Sequence, residues 1–177
     1  MTRFAVSAIV LSIVAGLYGC NRNSGVQDGP DMVMAEPKAY TPAEIAAIQA
    51  TFPAPFDAAD MTAGEKQFNK CRACHTITPD GMNMTGPHLY GVFGRHSATA
   101  SGYTYSDAMM KHNVTWDFKT LDVYLKAPQE VVRGTKMGFM GIPNDADRRN
   151  LIAYLALETQ AHETAADASK SGLAESK

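Results

Sequence analysis

Cys71-Arg72-Ala73-Cys74-His75 is the stretch of this 177-residue chain that decides both its fold and its chemistry. Two thiols three residues apart, followed directly by an imidazole, are typical of a c-type haem attachment site. In such a site both sulfurs form thioethers at one edge of the ring, and the histidine offers a nitrogen to the iron. The motif therefore predicts one covalent haem c, bound through Cys71 and Cys74, with His75 as an iron ligand.

Two other chemistries use paired cysteines, and the surrounding sequence favours neither. A thiol redox site of the thioredoxin type needs a strand before the motif and a helix after it. Here a helical pattern begins at Asp60, and a loop that contains Pro and Gly follows over residues 76–85. A zinc site needs more ligands than this motif offers, and the chain has three cysteines in all.

The residues alone leave the second axial ligand of the iron open. The available side chains are ten methionines and four histidines outside the motif, His88, His96, His112 and His162. The Gly-rich segment 134–139 has neither helical nor strand periodicity, so a methionine displayed there, Met137, is the favoured candidate. One His and one Met ligand stabilise ferrous iron, and a filled coordination sphere leaves no position for a substrate.

The N-terminus predicts export and a lipid anchor. Residues 1–19 have the pattern of a signal peptide, because Arg3 precedes an apolar run without charge. As a helix, this run would measure about 24 Å, whereas the hydrocarbon core of a bilayer is about 30 Å thick. Leu17-Tyr18-Gly19-Cys20 resembles a bacterial lipobox, so we expect lipidation of Cys20; a retained leader is the alternative. The rest of the chain is then membrane-anchored on the periplasmic side of a bacterial envelope.

Composition divides the remainder of the chain into a linker, a domain and a tail. Residues 20–59 contain the lipid-attachment site and a Pro/Gly-rich linker, residues 60–160 the folded domain, and residues 161–177 a polar tail. Inside the linker, Thr41-Pro42-Ala43-Glu44 predicts a short helix that continues to Ala50. The formal net charge of −2 argues against a nucleic-acid partner.

Within the domain, periodicity and capping residues predict three main helices. They cover residues 60–72, a segment from Asp117 to just before Pro128, and residues 145–159. Helices joined by Gly- and Pro-containing loops make a small all-α domain in which loops supply much of the haem pocket.

Residues 64–157 resemble the class I cytochromes c of the mitochondrial and alphaproteobacterial type. The stretches that carry the resemblance are Gly64–Cys71, the haem motif, Thr85–Arg95, Gly102–Ala108, Trp116, Leu121–Leu125, Gly134–Met137 and Leu151–Leu155. The resemblance implies the small cytochrome c fold, with three to five helices around one haem, and it implies Met137 as the second axial ligand of the iron.

The resemblance also implies roles for residues around the haem. The carbonyl of Pro87 accepts the free N–H of His75 and so orients the ring. The side chains implied to hold a haem propionate are Arg95, Tyr105 and Trp116. The side chains implied on the methionine side are Tyr124 and Thr135, which support Met137, and Phe139, which covers the edge of the ring.

Three positions depart from the family pattern. Met109 stands where the family commonly has Asn, Arg133 where a Pro often precedes the Gly, and His88 where Asn is frequent. None of these positions is an implied ligand, so the predicted coordination is unaffected.

The resemblance implies an electron carrier rather than an enzyme. We expect a monomer that takes single electrons from a membrane-bound quinol:cytochrome c oxidoreductase to a terminal oxidase. Basic residues flank the two haem-bearing segments and suggest a rim that attracts acidic partners: Lys70, Arg72, Arg133 and Lys136. The alternatives are an electron acceptor for a periplasmic dehydrogenase, a haem peroxidase or sensor with a labile methionine ligand, and a thiol redox protein.

Overall fold

The computed structural model describes residues 40–160, which form six helices and one 3₁₀ turn. The helices are α1 (Pro42–Gln49), α2 (Met61–Phe68), α3 (Asp107–Lys111), α4 (Phe118–Lys126), α5 (Pro128–Val131) and α6 (Asp145–Thr159), and the 3₁₀ turn is Phe56–Ala58. Among these residues the only β-type pairing is one bridge between His96 and Thr115. The all-α class is therefore confirmed, and the predicted domain over residues 60–160 has five helices, α2 to α6, within the three to five expected.

Side-chain caps begin α4 and α6 where the sequence predicts them. Asp117 and Thr120 form a reciprocal capping box at the start of α4, and Asn144 accepts a hydrogen bond from the Asp147 N–H at 2.9 Å at the start of α6. Each cap pairs an N–H that a helix start leaves without an intrahelical partner. Helix α4 ends just before Pro128, as predicted, because proline disfavours a helical residue ahead of it.

Helix α2 crosses α6 at close range, and this crossing places the cysteine motif. At Gly64, an added Cβ would lie 2.2 Å from the carbonyl oxygen of Asn150, so only glycine permits the approach. Phe68 is buried and packs on the ring of Tyr154, with centroids 5.9 Å apart. The prediction of a helix as far as residue 72 is wrong, because α2 ends at Phe68 and tight turns follow.

Helix α6 forms the centre of the core. Leu151, Ile152 and Ala153 are fully buried. The guanidinium of the buried Arg148 donates to a carboxylate oxygen of Asp122 in α4 at 2.7 Å. It also donates to two backbone carbonyls in the loop that leads into α6. Arg148 thus fixes the relative positions of α4, α6 and this loop.

The predicted helix within the linker is confirmed, but the predicted end of the linker is wrong. Helix α1 has the expected capping box at its start. After it, Phe52 and Phe56 are buried, and their ring centroids lie 5.3 and 4.9 Å from that of Phe118 in α4. The proline-rich composition predicted a linker here, but the apolar area of these two aromatic side chains packs on the domain. The folded domain therefore includes residues from Phe52 onward.

Some predictions lie outside the described residues. These are the signal peptide over residues 1–19, the lipid on Cys20, the first part of the linker and the tail over residues 161–177. Among residues 40–160, no helix combines the length and the apolar character needed to cross a membrane.

Candidate haem-binding site

The cysteine motif follows α2 as consecutive tight turns. The Cys71 N–H donates to the Phe68 carbonyl at 2.8 Å, and the His75 N–H donates to the Cys71 carbonyl at 3.0 Å. These bonds coil the segment so that Cys71, Cys74 and His75 all line one cavity. Both thiols are partly buried, and they are not joined in a disulfide.

The environment of the first thiol disfavours the thiol redox alternative. Burial raises the pKa of Cys71 to about 11, although the charge of Lys70 opposes this change. A redox-active cysteine needs a lowered pKa, because the thiolate is the reactive form. A helix, not a strand, precedes the motif, so neither condition for a thioredoxin-type site is met.

The imidazole of His75 is held in one orientation. Its Nδ1 lies 2.7 Å from the carbonyl oxygen of Pro87, which can only accept, so this nitrogen carries the proton and Nε2 is the free ligating atom. The ring packs directly on the backbone of Gly86, since an added Cβ there would be 2.3 Å from Cε1 of His75. Burial lowers the pKa of His75, and the bond to Pro87 only partly offsets this. The neutral ring is the form that binds a metal.

Met137 lines the same cavity and is held by two polar side chains. The Tyr124 hydroxyl lies 3.8 Å from the sulfur of Met137 and 3.4 Å from Oγ1 of Thr135. The Met137 N–H donates to that same Thr135 oxygen at 3.3 Å. These contacts orient the thioether, which has no rigid secondary structure of its own to hold it.

The cavity wall also carries a cation, Arg95, that lacks an anionic partner. The guanidinium of Arg95 donates to the backbone carbonyls of Tyr90 and His88, at 3.2 and 2.9 Å. Among the described residues no carboxylate pairs with it, and burial lowers its pKa, opposed by Tyr105. The Trp116 N–H donates to the Arg95 carbonyl at 2.9 Å, which holds Arg95 next to the buried Trp116. A half-buried cation in this state favours a carboxylate ligand.

All eleven residues predicted for the site lie on the wall of this one cavity, whose volume is about 440 Å³. They are Cys71, Cys74, His75, Pro87, Arg95, Tyr105, Trp116, Tyr124, Thr135, Met137 and Phe139. Apolar side chains that the sequence prediction missed also line the cavity, among them Leu89, Val92, Leu121, Leu125, Leu151 and Leu155. The helical spacing of the last four was the signal for them, but periodicity does not tell a pocket wall from a core.

The residues present fit a haem group. Paired thiols, a neutral imidazole, apolar walls and an unpaired cation meet in a single cavity. Among residues 40–160, no group of three or more His, Cys, Asp or Glu side chains is placed to hold a metal ion by itself. The donor set therefore suits an iron carried by a macrocycle and not a bare ion.

The positions that depart from the family pattern differ in their relation to the cavity. Met109 is buried and lines it. Arg133 is exposed and does not line it. The Nδ1 atom of His88 is buried without a hydrogen-bond partner. Of the predicted basic rim, Lys70 and Lys136 line the cavity, whereas Arg72 lies over the ring of Phe68 at 5.6 Å.

Comparison with known proteins accounts for this arrangement. The sequence profile of the cytochrome c family matches residues 61–157, more than half of the chain. The chain belongs to the cytochrome c family. As a cytochrome c, it binds one haem c covalently through Cys71 and Cys74, and it acts as a monohaem electron carrier that exchanges electrons with redox partners.

Individual relatives agree with the family match. This cytochrome c is 55% identical over 97 residues to the cytochrome c-type cyt cy of Rhodobacter capsulatus, covering 54% of this chain and 48% of that protein. It is 50% identical over 99 residues to cytochrome c2 of Rhodoblastus acidophilus, covering 56% and 92%. It is 43% identical over 104 residues to cytochrome c of Kluyveromyces lactis, covering 58% and 94%. The match thus spans about half of the first relative and nearly all of the other two.

Proposed function

We propose that this cytochrome c carries single electrons while tethered to a membrane, from a quinol:cytochrome c oxidoreductase to a terminal oxidase. The haem supplies an iron that gains and loses one electron. The observation that supports the proposal is that His75 and Met137, each fixed by hydrogen bonds, line the same cavity as the two thiols. When both side chains bind the iron, no position is left for a substrate, which favours a carrier over an enzyme.

Neighbouring groups of the protein hold each of the two side chains that would bind the iron. The Pro87 carbonyl fixes the ring of His75 and raises its basicity, as outer partners of metal-bound histidines do. Tyr124 and Thr135 orient the thioether of Met137.

The remaining cavity residues are assigned to the edges of the haem. Arg95, Tyr105 and Trp116 hold a propionate, because the half-buried guanidinium needs an anion and the two rings offer an O–H and an N–H. Phe139 covers the edge on the methionine side. Both assignments rest on the position of these side chains on the cavity wall.

The tether is proposed from the sequence of the N-terminus. A lipid on Cys20 would hold the domain at the periplasmic surface of a membrane. Confinement near embedded partners raises their effective concentration. The partner's docking face should be acidic, because Lys70 and Lys136 line the cavity, and no acidic side chain is found among the described residues of its wall.

Spectroscopy of Met137→Ala tests the coordination. We expect the red absorption band of the methionine–ferric charge transfer to be present in the native protein and absent in Met137→Ala. Met140→Ala is the matched control: Met140 follows on the same loop, is 88% exposed and does not line the cavity. Loss of the band in Met140→Ala and its persistence in Met137→Ala would make Met140 the ligand in place of Met137. Rapid carbon monoxide binding by the reduced native protein would favour a peroxidase or sensor.

Two measurements test the tether and the partners. Mass spectrometry of the mature N-terminus distinguishes a lipid on Cys20 from a retained leader. In an electron-transfer assay, membranes from the source organism should oxidise the reduced native protein faster than reduced Cys20→Ser. Equal rates contradict tethering, and electron uptake only from a soluble periplasmic dehydrogenase contradicts the respiratory partners.

A further inference from the structure

We propose that Gln129 is a positioning residue that keeps the Met137 loop closed over the cavity, an inference that rests on the proposed role of Met137 as an iron ligand. The side-chain amide of Gln129 donates a hydrogen bond to the backbone carbonyl of Met137. The sequence gives no indication of this role, since Gln129 lies eight residues away and outside every motif discussed above.

The Met137 loop, residues 132–144, needs such a support because few hydrogen bonds tie it to the rest of the fold. Residues 132–144 form neither helix nor strand. The bond from the Met137 N–H to Thr135 joins two members of the same loop and moves with it. Besides Tyr124 at the sulfur, the loop is tied to other segments near Met137 by Lys136, which donates to the Thr104 carbonyl at 2.9 Å. Gln129 adds a tie at the backbone of Met137 itself.

The backbone of Gln129 is held in place by the packing of its helix. It belongs to the short helix α5, whose first residue, Pro128, is fully buried. On the far side of the loop, the Ile142 N–H donates to the Leu125 carbonyl at 2.8 Å. An added Cβ at Gly141 would lie 2.2 Å from the carbonyl oxygen of residue 126, so the returning chain is packed against the end of α4. The amide therefore acts from a part of the fold that the loop does not move.

The size of the effect follows from the exposure of Gln129. Release of the Met137 sulfur requires its loop to move outward, which separates the amide from the carbonyl. Because Gln129 is exposed, water replaces both partners, and only the net value of one hydrogen bond is lost. We expect the released state to become about fivefold more populated without this bond.

Imidazole binding to the ferric holoprotein measures that population, because added imidazole occupies the iron only when Met137 has left. Gln129→Ala removes the amide, and Gln129→Glu keeps its shape but has no N–H to donate at neutral pH. Both variants should bind imidazole with about fivefold higher apparent affinity and keep the red band in its absence. Gln49→Ala is the matched control, because Gln49 donates a similar bond to the Ala59 carbonyl at 2.7 Å, away from the cavity.

Three results would overturn the proposal. They are an unchanged affinity in both Gln129 variants, a rise in Gln129→Ala alone, and an equal rise in Gln49→Ala, which would mean general loosening of the domain. Failure of the underlying function is seen separately: native protein without the red band, or with the same imidazole affinity as Met137→Ala, excludes Met137 as the ligand whatever Gln129 does.

Discussion

Replacing Gly64 by alanine tests whether the close crossing of α2 and α6 sets the stability of this cytochrome c. The added Cβ would lie 2.2 Å from the Asn150 carbonyl oxygen and 2.7 Å from Cβ of Tyr154. Neither atom is at the free end of a side chain, so neither can turn away. The two helices would have to separate by roughly 1 Å, which a close-packed interior resists.

Two effects of opposite sign determine the outcome. In a helix interior, alanine is about 0.8–1.0 kcal/mol more favourable than glycine, so propensity alone predicts a more stable protein. Overpacking costs about 1–3 kcal/mol, and a contact with two backbone-level atoms belongs at the upper end or above. We therefore expect a net loss of about 2 kcal/mol, or about 10 °C in the midpoint of thermal unfolding.

The measurement is thermal and guanidinium chloride unfolding of the ferric holoprotein, followed by far-ultraviolet circular dichroism. Lys66→Ala is the control, because Lys66 lies in the same helix, is exposed and does not line the cavity. That variant should stay within about 0.5 kcal/mol of the native protein. If Gly64→Ala is as stable as the native protein, propensity outweighs the clash and the argument from close approach is wrong.

Three further predictions concern the site and the core. Gly86→Ala should raise the reduction potential in voltammetry. A Cβ 2.3 Å from Cε1 of His75 would turn the ring away from the Pro87 carbonyl, whose hydrogen bond makes the ring basic. An unchanged potential would show that the ring keeps this bond. Arg148→Leu should lower the free energy of unfolding in guanidinium chloride by about 2 kcal/mol, since two backbone carbonyls, one of them in a buried bond, lose their donor; a change smaller than about 0.5 kcal/mol would contradict this role. Burial, and then the charge of Glu65, raise the pKa of Glu158, so its carboxylate opposes folding at neutral pH. Glu158→Gln should therefore be more stable at pH 7, and the gain should disappear below about pH 4 when unfolding is measured across pH.

Features that depend on neighbours in the chain were predictable. The bounds of α4 follow from Asp117 at its start and Pro128 after its end, those of α6 follow from its helical apolar period, and the structure confirms both. The attachment of haem follows from five consecutive residues. In both cases the determining interactions are local, so the sequence alone contains them.

Features that depend on contacts between distant segments were not predictable. The pattern of α2 continues to residue 72, yet the helix ends at Phe68 because the motif coils to bring its side chains to the cavity. Phe52 and Phe56 look like parts of a proline-rich linker until Phe118, more than sixty residues later, offers a surface for them.

The sequence by itself determined the cofactor, its covalent attachment and the helices with strong local signals, because covalent chemistry and capping act over one or two turns. Only the tertiary structure decided how the iron's surroundings are built: the carbonyls that hold Arg95, the ring of His75 pressed on a glycine, and the amide of Gln129 on the loop of Met137. These are hydrogen bonds and steric contacts between segments whose proximity exists only once the chain has folded.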